Sequence, residues 1–269
     1  MDIKYHKLTD VPYKQTPNGG GIYVPNYIVM HYTAGYNMES AISRFLDKSS
    51  QVSAHLTIDR DGSVVQVQPF NVKCWHAGPS RYKGVEMMNA HAIGIEHVNI
   101  GWLKKTATGL LDAYGNTLKM DKFDDYVIGP NARVGGGDLY WPVYTKKQLE
   151  VSTEITKLII ANYDIKDIVS HEEIDTRGWK TDPGPAFPMA SFKALLKGYT
   201  SNATPAADEH HFKVNTPSLN VRGGPGTNFP VISGLKAGDT VVVTDTSGGW
   251  SRINVNGADG WVRTTYLSK

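Results

Sequence analysis

The chain has 269 residues, 40% of them hydrophobic and 20% charged, with a formal net charge of +2. That length supports a sizeable core and suggests a large domain plus a small one, or two of middling size. The balance excludes a disordered polyelectrolyte and argues against a dedicated nucleic-acid binder, while a pI near 8.4 permits weak attraction to an anionic polymer such as a cell wall. A lone cysteine, Cys74, excludes an intrachain disulfide and a thiolate zinc knuckle. The opening residues M-D-I-K-Y-H-K-L-T-D lack the apolar run of a signal peptide, and no window approaches the roughly 18 apolar residues of a membrane span. A soluble protein made in the cytosol is therefore expected.

In chain order, Tyr27–Met30 is an apolar run that predicts a buried central strand, with His31 at its end. Met38–Phe45 has the spacing of a short helix. Ser53–Asp59 and Ser63–Gln68 flank R-D-G and predict a β-hairpin. After W-H-A-G at Trp75–Gly78, Ala92–Val98 reads as another strand, in which alternation puts Gly94 and Glu96 on one face, opposite Ile93 and Ile95. Residues 101–144 are long, polar and glycine-rich, with no regular element assigned; such a stretch is a lid, a binding loop or an insertion. Thr145 followed by Gln148 predicts a helix start, and Leu149, Ile155, Leu158 and Ile159 carry the helix to about Tyr163.

Residues Ile168–Pro188 hold His171, Lys180 and Asp182 among Gly178, Gly184, Pro183, Pro185 and Pro188. These breakers forbid one continuous helix or strand, so a shaped loop is predicted. Taken alone, the segment fits a loop that aims polar groups at one point and a solvated surface coil equally well. A second short helix is expected after Pro188. Residues 198–211 are small, polar and aperiodic and read as a linker, with His210 and His211 as solvated side chains. From Phe212 onward, short β-runs separated by turns predict a small β-barrel.

His31, His171 and Asp182 are of the types that catalytic zinc uses, two imidazoles and a carboxylate with a fourth position for water. Spacing does not establish such a site in a chain with nine histidines.

His31 after its strand, V-S-A-H-L-T-I-D-R-D-G-S-V-V-Q, W-H-A-G, I-G-I-E and K-T-D-P-G-P-A-F, in that order over about residues 20–197, resemble the zinc-dependent N-acetylmuramoyl-L-alanine amidases. The likeness is to cytosolic wall-recycling and phage lysozyme-type amidases, which share a fold with peptidoglycan-recognition proteins. It implies an α/β fold, a mixed central β-sheet flanked by helices, for a catalytic domain at 1–197. It also implies Zn2+ on His31, His171 and Asp182, and Glu96 and Lys180 as the catalytic pair. Zinc would acidify its water and polarise the scissile carbonyl, Glu96 would carry the proton, and Lys180 would face the oxyanion. Trp75 and His76 are candidate walls of the substrate groove, whereas His55, His91 and His97 read as structural or exposed. Two departures stand out. The interval from His171 to Asp182 is slightly longer than the family pattern, and 101–144 exceeds what compact members need, so it is expected to border the groove and shape stem-peptide preference.

Residues 212–269, with T-P-S-L-N-V-R-G-G-P-G-T-N-F-P-V-I, L-K-A-G-D and G-G-W-S-R-I, resemble bacterial SH3 domains, which commonly bind peptidoglycan. Asn220, Trp250 and Tyr266 are candidate wall-binding residues, with Trp250 and Trp261 equally suited to a barrel core. The resemblances together imply a monomeric amidase that cleaves between N-acetylmuramic acid and L-alanine of peptidoglycan, without nucleic-acid or membrane partners. A phage-type endolysin, acting at the wall after release from the cytosol, is the expected setting. The alternatives are a non-catalytic recognition protein and a secreted antibacterial effector.

Overall fold

A computed structural model describes residues 1–198, 211–255 and 258–268. Most of the linker reading, with His210, therefore lies outside the described residues, and His211 already opens a strand, His211–Val214.

The scaffold is a five-stranded sheet in the order Asp167–Ser170, Tyr27–Tyr32, Ala92–His97, Leu56–Ile58, Val64–Gln66. Its first four strands are parallel, and the last returns antiparallel through the R-D-G hairpin. The two middle strands are apolar because both faces are covered, as parallel strands require. Ile28, Met30, Ile93, Ile95 and Ile168 face one way, onto Val151, Ile155 and Ile159 of helix Lys146–Asn162. Burying each such side chain contributes about 1.5–3 kcal/mol. Val29, Ala92 and Val169 face the other way, against Ala77, Met88 and Ile174. The helix begins as its sequence requires: the Thr145 hydroxyl accepts the N–H of Gln148, an N-terminal cap. Helix Met38–Leu46 is capped likewise by Asn37, and Met189–Ala194 follows Pro188. Among the described residues no helix is long and apolar enough to cross a membrane.

The stretch 101–144, to which the sequence assigned no regular element, contains a second sheet. Its order is Thr117–Leu118, Gly109–Leu111, Leu103–Thr106, Leu139–Pro142, Tyr126–Gly129, with every pairing antiparallel. It was illegible because its strands are short and nearly one-sided: Leu103 is buried while Lys104, Lys105 and Thr106 are exposed. Ile100, Leu103 and Leu110 form its small core, which Leu118, Phe123, Tyr126 and Tyr140 flank.

In the C-terminal region the strands from His211 to Ser268 join in one seven-stranded sheet, with Val231–Lys236 at one edge and Leu267–Ser268 at the other. Val214, Leu219, Val221, Val241, Val243, Ile253 and Val262 from these strands pack into a single apolar cluster, as in a curled sheet.

Candidate active site

The site lies past the C-terminal ends of the parallel strands, where open α/β sheets leave a crevice. Register sets Glu96 directly beside His31. Alternation then places both side chains on the face of Val29 and Ala92, away from the Ile28 and Met30 core. On the other side of the His31 strand, Ser170 pairs with Met30, and its hydroxyl caps the single-turn helix His171–Ile174 by accepting the N–H of Glu173. The chain thus turns as it leaves the sheet, with His171 next to His31. Asp182 returns to the same point, its backbone carbonyl accepting the N–H of Glu172 at 2.9 Å.

His31, His171 and Asp182 are all buried and offer ligand atoms within 4.8 Å of one another. The His31 and His171 Nδ1 atoms are 3.0 Å apart, and Asp182 Oδ2 lies 2.8 and 2.9 Å from them. What occupies this triangle follows from the far side of each ring. His171 Nε2 is 3.3 Å from the Ala77 carbonyl, which only accepts, so Nε2 carries the hydrogen and Nδ1 a lone pair. His76 Nε2 likewise donates to the Ala92 carbonyl at 3.1 Å, leaving its Nδ1 to accept from His31 Nε2–H at 3.0 Å. His31 Nδ1 is then a lone pair too. Burial favours the neutral ring at His31 and His76: desolvation pushes His31 down to about 4 and His76 well below the usual imidazole range. Two imidazole lone pairs and a carboxylate oxygen, converging without a proton among them, repel unless a cation sits between them. Their separations approach the roughly 3.3 Å edge of a tetrahedral centre with bonds of about 2.0 Å. The donor set therefore fits zinc.

Glu96 faces the same cleft of about 400 Å³. Its Oε2 is buried without a hydrogen-bond partner among the described residues, and burial, then the Asp182 carboxylate, pushes its carboxyl up to about 8 against the pull of Lys180. Lys180 also lines the cleft, its ammonium 4.7 Å from the Trp179 ring centroid. A carboxylate without a fixed partner beside a cation site is a group free to exchange a proton.

The sheet ends and the Ile168–Pro188 loop thus bring together all five residues expected at the centre. Trp75 is 38% exposed and lines the cleft. His76 also borders it, but both its ring nitrogens are engaged, which leaves no polar ring atom for a substrate. Gly94 admits that ring: a Cβ there would meet His76 Cγ at 2.6 Å. His55 is tied to the Val72 carbonyl and the Gly94 N–H, and His97 to the His31 carbonyl and Ser152, so both are structural. Trp102 and Trp179 line the cleft without having been anticipated. Trp179, beside Gly178 among the breakers, carried a usable signal; Trp102, in the unassigned stretch, carried none. Of the wall-binding candidates, Asn220 and Tyr266 are exposed, but Trp250 is only 6% exposed, with the Arg263 guanidinium 5.1 Å from its ring centroid. Its indole belongs to the domain interior and is corrected from that role.

The N-acetylmuramoyl-L-alanine amidase family, Amidase_2, matches residues 22–185, and the bacterial SH3 domain matches 217–268. The 1,6-anhydro-N-acetylmuramyl-L-alanine amidase AmpD of Escherichia coli is 34% identical over 153 residues, 56% of this chain and 62% of that protein. The N-acetylmuramoyl-L-alanine amidase AmiD of Escherichia coli is 29% identical over 170 residues, 60% of this chain and 49% of that protein. The chain thus spans less than two thirds of the length of these relatives. A crystal structure of a selenomethionine AmpD derivative aligns with 73% of this chain and 99% of its own at a TM-score of 0.51 and 24% identity, a likeness of fold. Because the first of these family matches takes in more than half of the chain, the protein belongs to the N-acetylmuramoyl-L-alanine amidase family, with a bacterial SH3 domain following the amidase domain.

Proposed function

We propose that this protein is a zinc-dependent N-acetylmuramoyl-L-alanine amidase of endolysin type, which hydrolyses the amide between N-acetylmuramic acid and L-alanine in intact peptidoglycan. The observation that carries this reading is the convergence of three lone-pair donors, His31, His171 and Asp182, beside the unpartnered carboxylate oxygen of Glu96. A bound zinc ion would acidify water and polarise the scissile carbonyl. Glu96 accepts a proton from the attacking water and returns it to the leaving amine of L-alanine. Lys180 presents its ammonium to the oxygen on which negative charge develops. The cleft walls, Trp75 and Trp179 among them, hold the substrate and exclude bulk water. The SH3 domain favours the endolysin setting, because an enzyme confined to soluble fragments gains little from a wall-targeting module. Mass analysis of digested peptidoglycan tests the proposal: new free L-alanine N-termini are expected, and cleavage at any other bond rejects it.

Two further outcomes are expected. His76→Phe keeps a ring in place but removes the acceptor for His31 Nε2–H, so zinc affinity falls roughly 10- to 100-fold in a competition titration with a chromogenic chelator. Unchanged affinity would exclude His76 from setting the His31 tautomer. Truncation after Gly198 is expected to leave the rate on soluble muramyl peptides within about twofold, because the cleft is built from residues before it, while the bound fraction in a wall-pelleting assay should collapse. Equal pelleting without the module would remove its targeting role.

A further inference from the structure

The catalytic reading assigns Lys180 a task but leaves open what holds it, since a lysine on a glycine- and proline-rich loop has a long side chain on a backbone without ladder hydrogen bonds. The structure supplies the fixing groups from two directions. Asp175, whose side chain is wholly inaccessible, accepts the backbone N–H groups of Trp179 and Lys180 at 3.0 and 3.1 Å through Oδ2, and Arg177 Nε at 3.0 Å through Oδ1. The other side of the Lys180 peptide is held from the second sheet. Arg133, in the turn between strands Tyr126–Gly129 and Leu139–Pro142, donates from one guanidinium nitrogen to the Lys180 carbonyl at 2.8 Å and lies 3.4 Å from Asp175 Oδ2. Its neighbour Asn131 donates to Glu172 at 3.0 Å, directly after His171. One arm of the 101–144 stretch thus grips the loop at both its metal-ligand end and its lysine end.

We infer that Arg133 is a positioning residue for Lys180: it bridges the Lys180 carbonyl and the Asp175 carboxylate, so that the inserted sheet buttresses the catalytic loop as well as bordering the cleft. The geometry explains why an arginine serves here. A single terminal guanidinium nitrogen carries two N–H donors at the end of a long side chain, and the two oxygens it meets belong to different segments. A lysine in its place ends one atom short of that nitrogen and reaches the two oxygens less well. With Arg133 absent, the Lys180 carbonyl loses its donor and the Asp175 carboxylate one of its cations. The turn at Gly178, with φ of +77°, then keeps the Asp175 bonds to Trp179 and Lys180 but loses the tie to the second sheet. Displacement of the ammonium by about 1 Å is enough to cost up to roughly 100-fold in rate.

The inference rests on the amidase reading for Lys180's task, so the test has an arm that does not need activity. In the full-length, zinc-loaded protein, Arg133→Ala is expected to speed hydrogen exchange at the Trp179 and Lys180 amides while leaving zinc stoichiometry and exchange in strand Ala92–His97 unchanged. On a soluble muramyl peptide it is expected to lower kcat roughly 10- to 100-fold with KM within about twofold, with Arg133→Lys recovering only part of the loss. In a Lys180→Ala background the same change should lower kcat no further, because its effect passes through the lysine. Unchanged exchange at both amides, or an equal kcat loss in both backgrounds, overturns the positioning role. A wild-type protein that cleaves nothing, yet shows the faster exchange on Arg133→Ala, keeps the clamp and sinks the amidase reading instead.

Discussion

Glu96→Gln is expected to lower kcat for muramyl-peptide cleavage by roughly two to four orders of magnitude, the range for loss of a positioned general acid–base group, with zinc content unchanged. Glutamine keeps the size and burial of the side chain but cannot take a proton, so the loss belongs to proton transfer rather than to collapse of the cleft. The carboxyl stands out because its Oε2 has no partner and its ionisation is opposed by burial and by Asp182. An acid raised to about 8 is largely protonated at neutral pH. A cation held by the triad opposes that shift, so metal loading should restore the carboxylate that the base needs. Turnover and bound metal measured on the same preparation decide the matter, and full turnover in the variant removes Glu96 from the chemistry.

Metal removal has the other large effect. Chelation is expected to bring cleavage to background, added zinc to restore it, and Asp182→Asn, which replaces the charged member of the triangle with a neutral amide, to reproduce the loss without chelator. The melting temperature should fall with the metal. A ligand present at 100 times its Kd stabilises the folded state by about 2.7 kcal/mol, and here its removal also leaves buried lone pairs facing one another 2.8–3.0 Å apart. Calorimetry with and without zinc reads both effects. Undiminished activity in protein shown free of metal would reject zinc as part of the mechanism.

Much of this site was legible before any coordinates, because the groups that build it are punctuated. The apolar run Tyr27–Met30 ends in His31, alternation in Ala92–Val98 sets Gly94 and Glu96 apart from the isoleucines, and the breakers of Ile168–Pro188 announce a shaped loop. The family resemblance joined these separated pieces into one set. What stayed hidden depends on contacts between distant segments. His76 showed its aromatic character but not its tie to His31, which rests on a glycine across the sheet making room for the ring. The second sheet escaped because two- to four-residue strands with mostly solvated faces carry no apolar period. Arg133 was invisible for the same reason. Trp250 shows the converse: an aromatic in a turn-rich β-region suits a binding surface and a small core equally, and only its burial separates the two.

The pairing of Glu96 with His31 bears on how this protein guards against its own misfolding. A slip of one residue between the two central strands would rotate the sliding strand's side chains to the opposite face. If the Ala92–His97 strand slid, Ile93 and Ile95 would leave the helix-covered core and Gly94 and Glu96 would enter it, placing an ionisable carboxylate in hydrocarbon at a cost of several kcal/mol. The acidic group proposed to carry the proton therefore also acts as a register marker, and chains that collapse out of alignment are penalised before they can bury the wrong face.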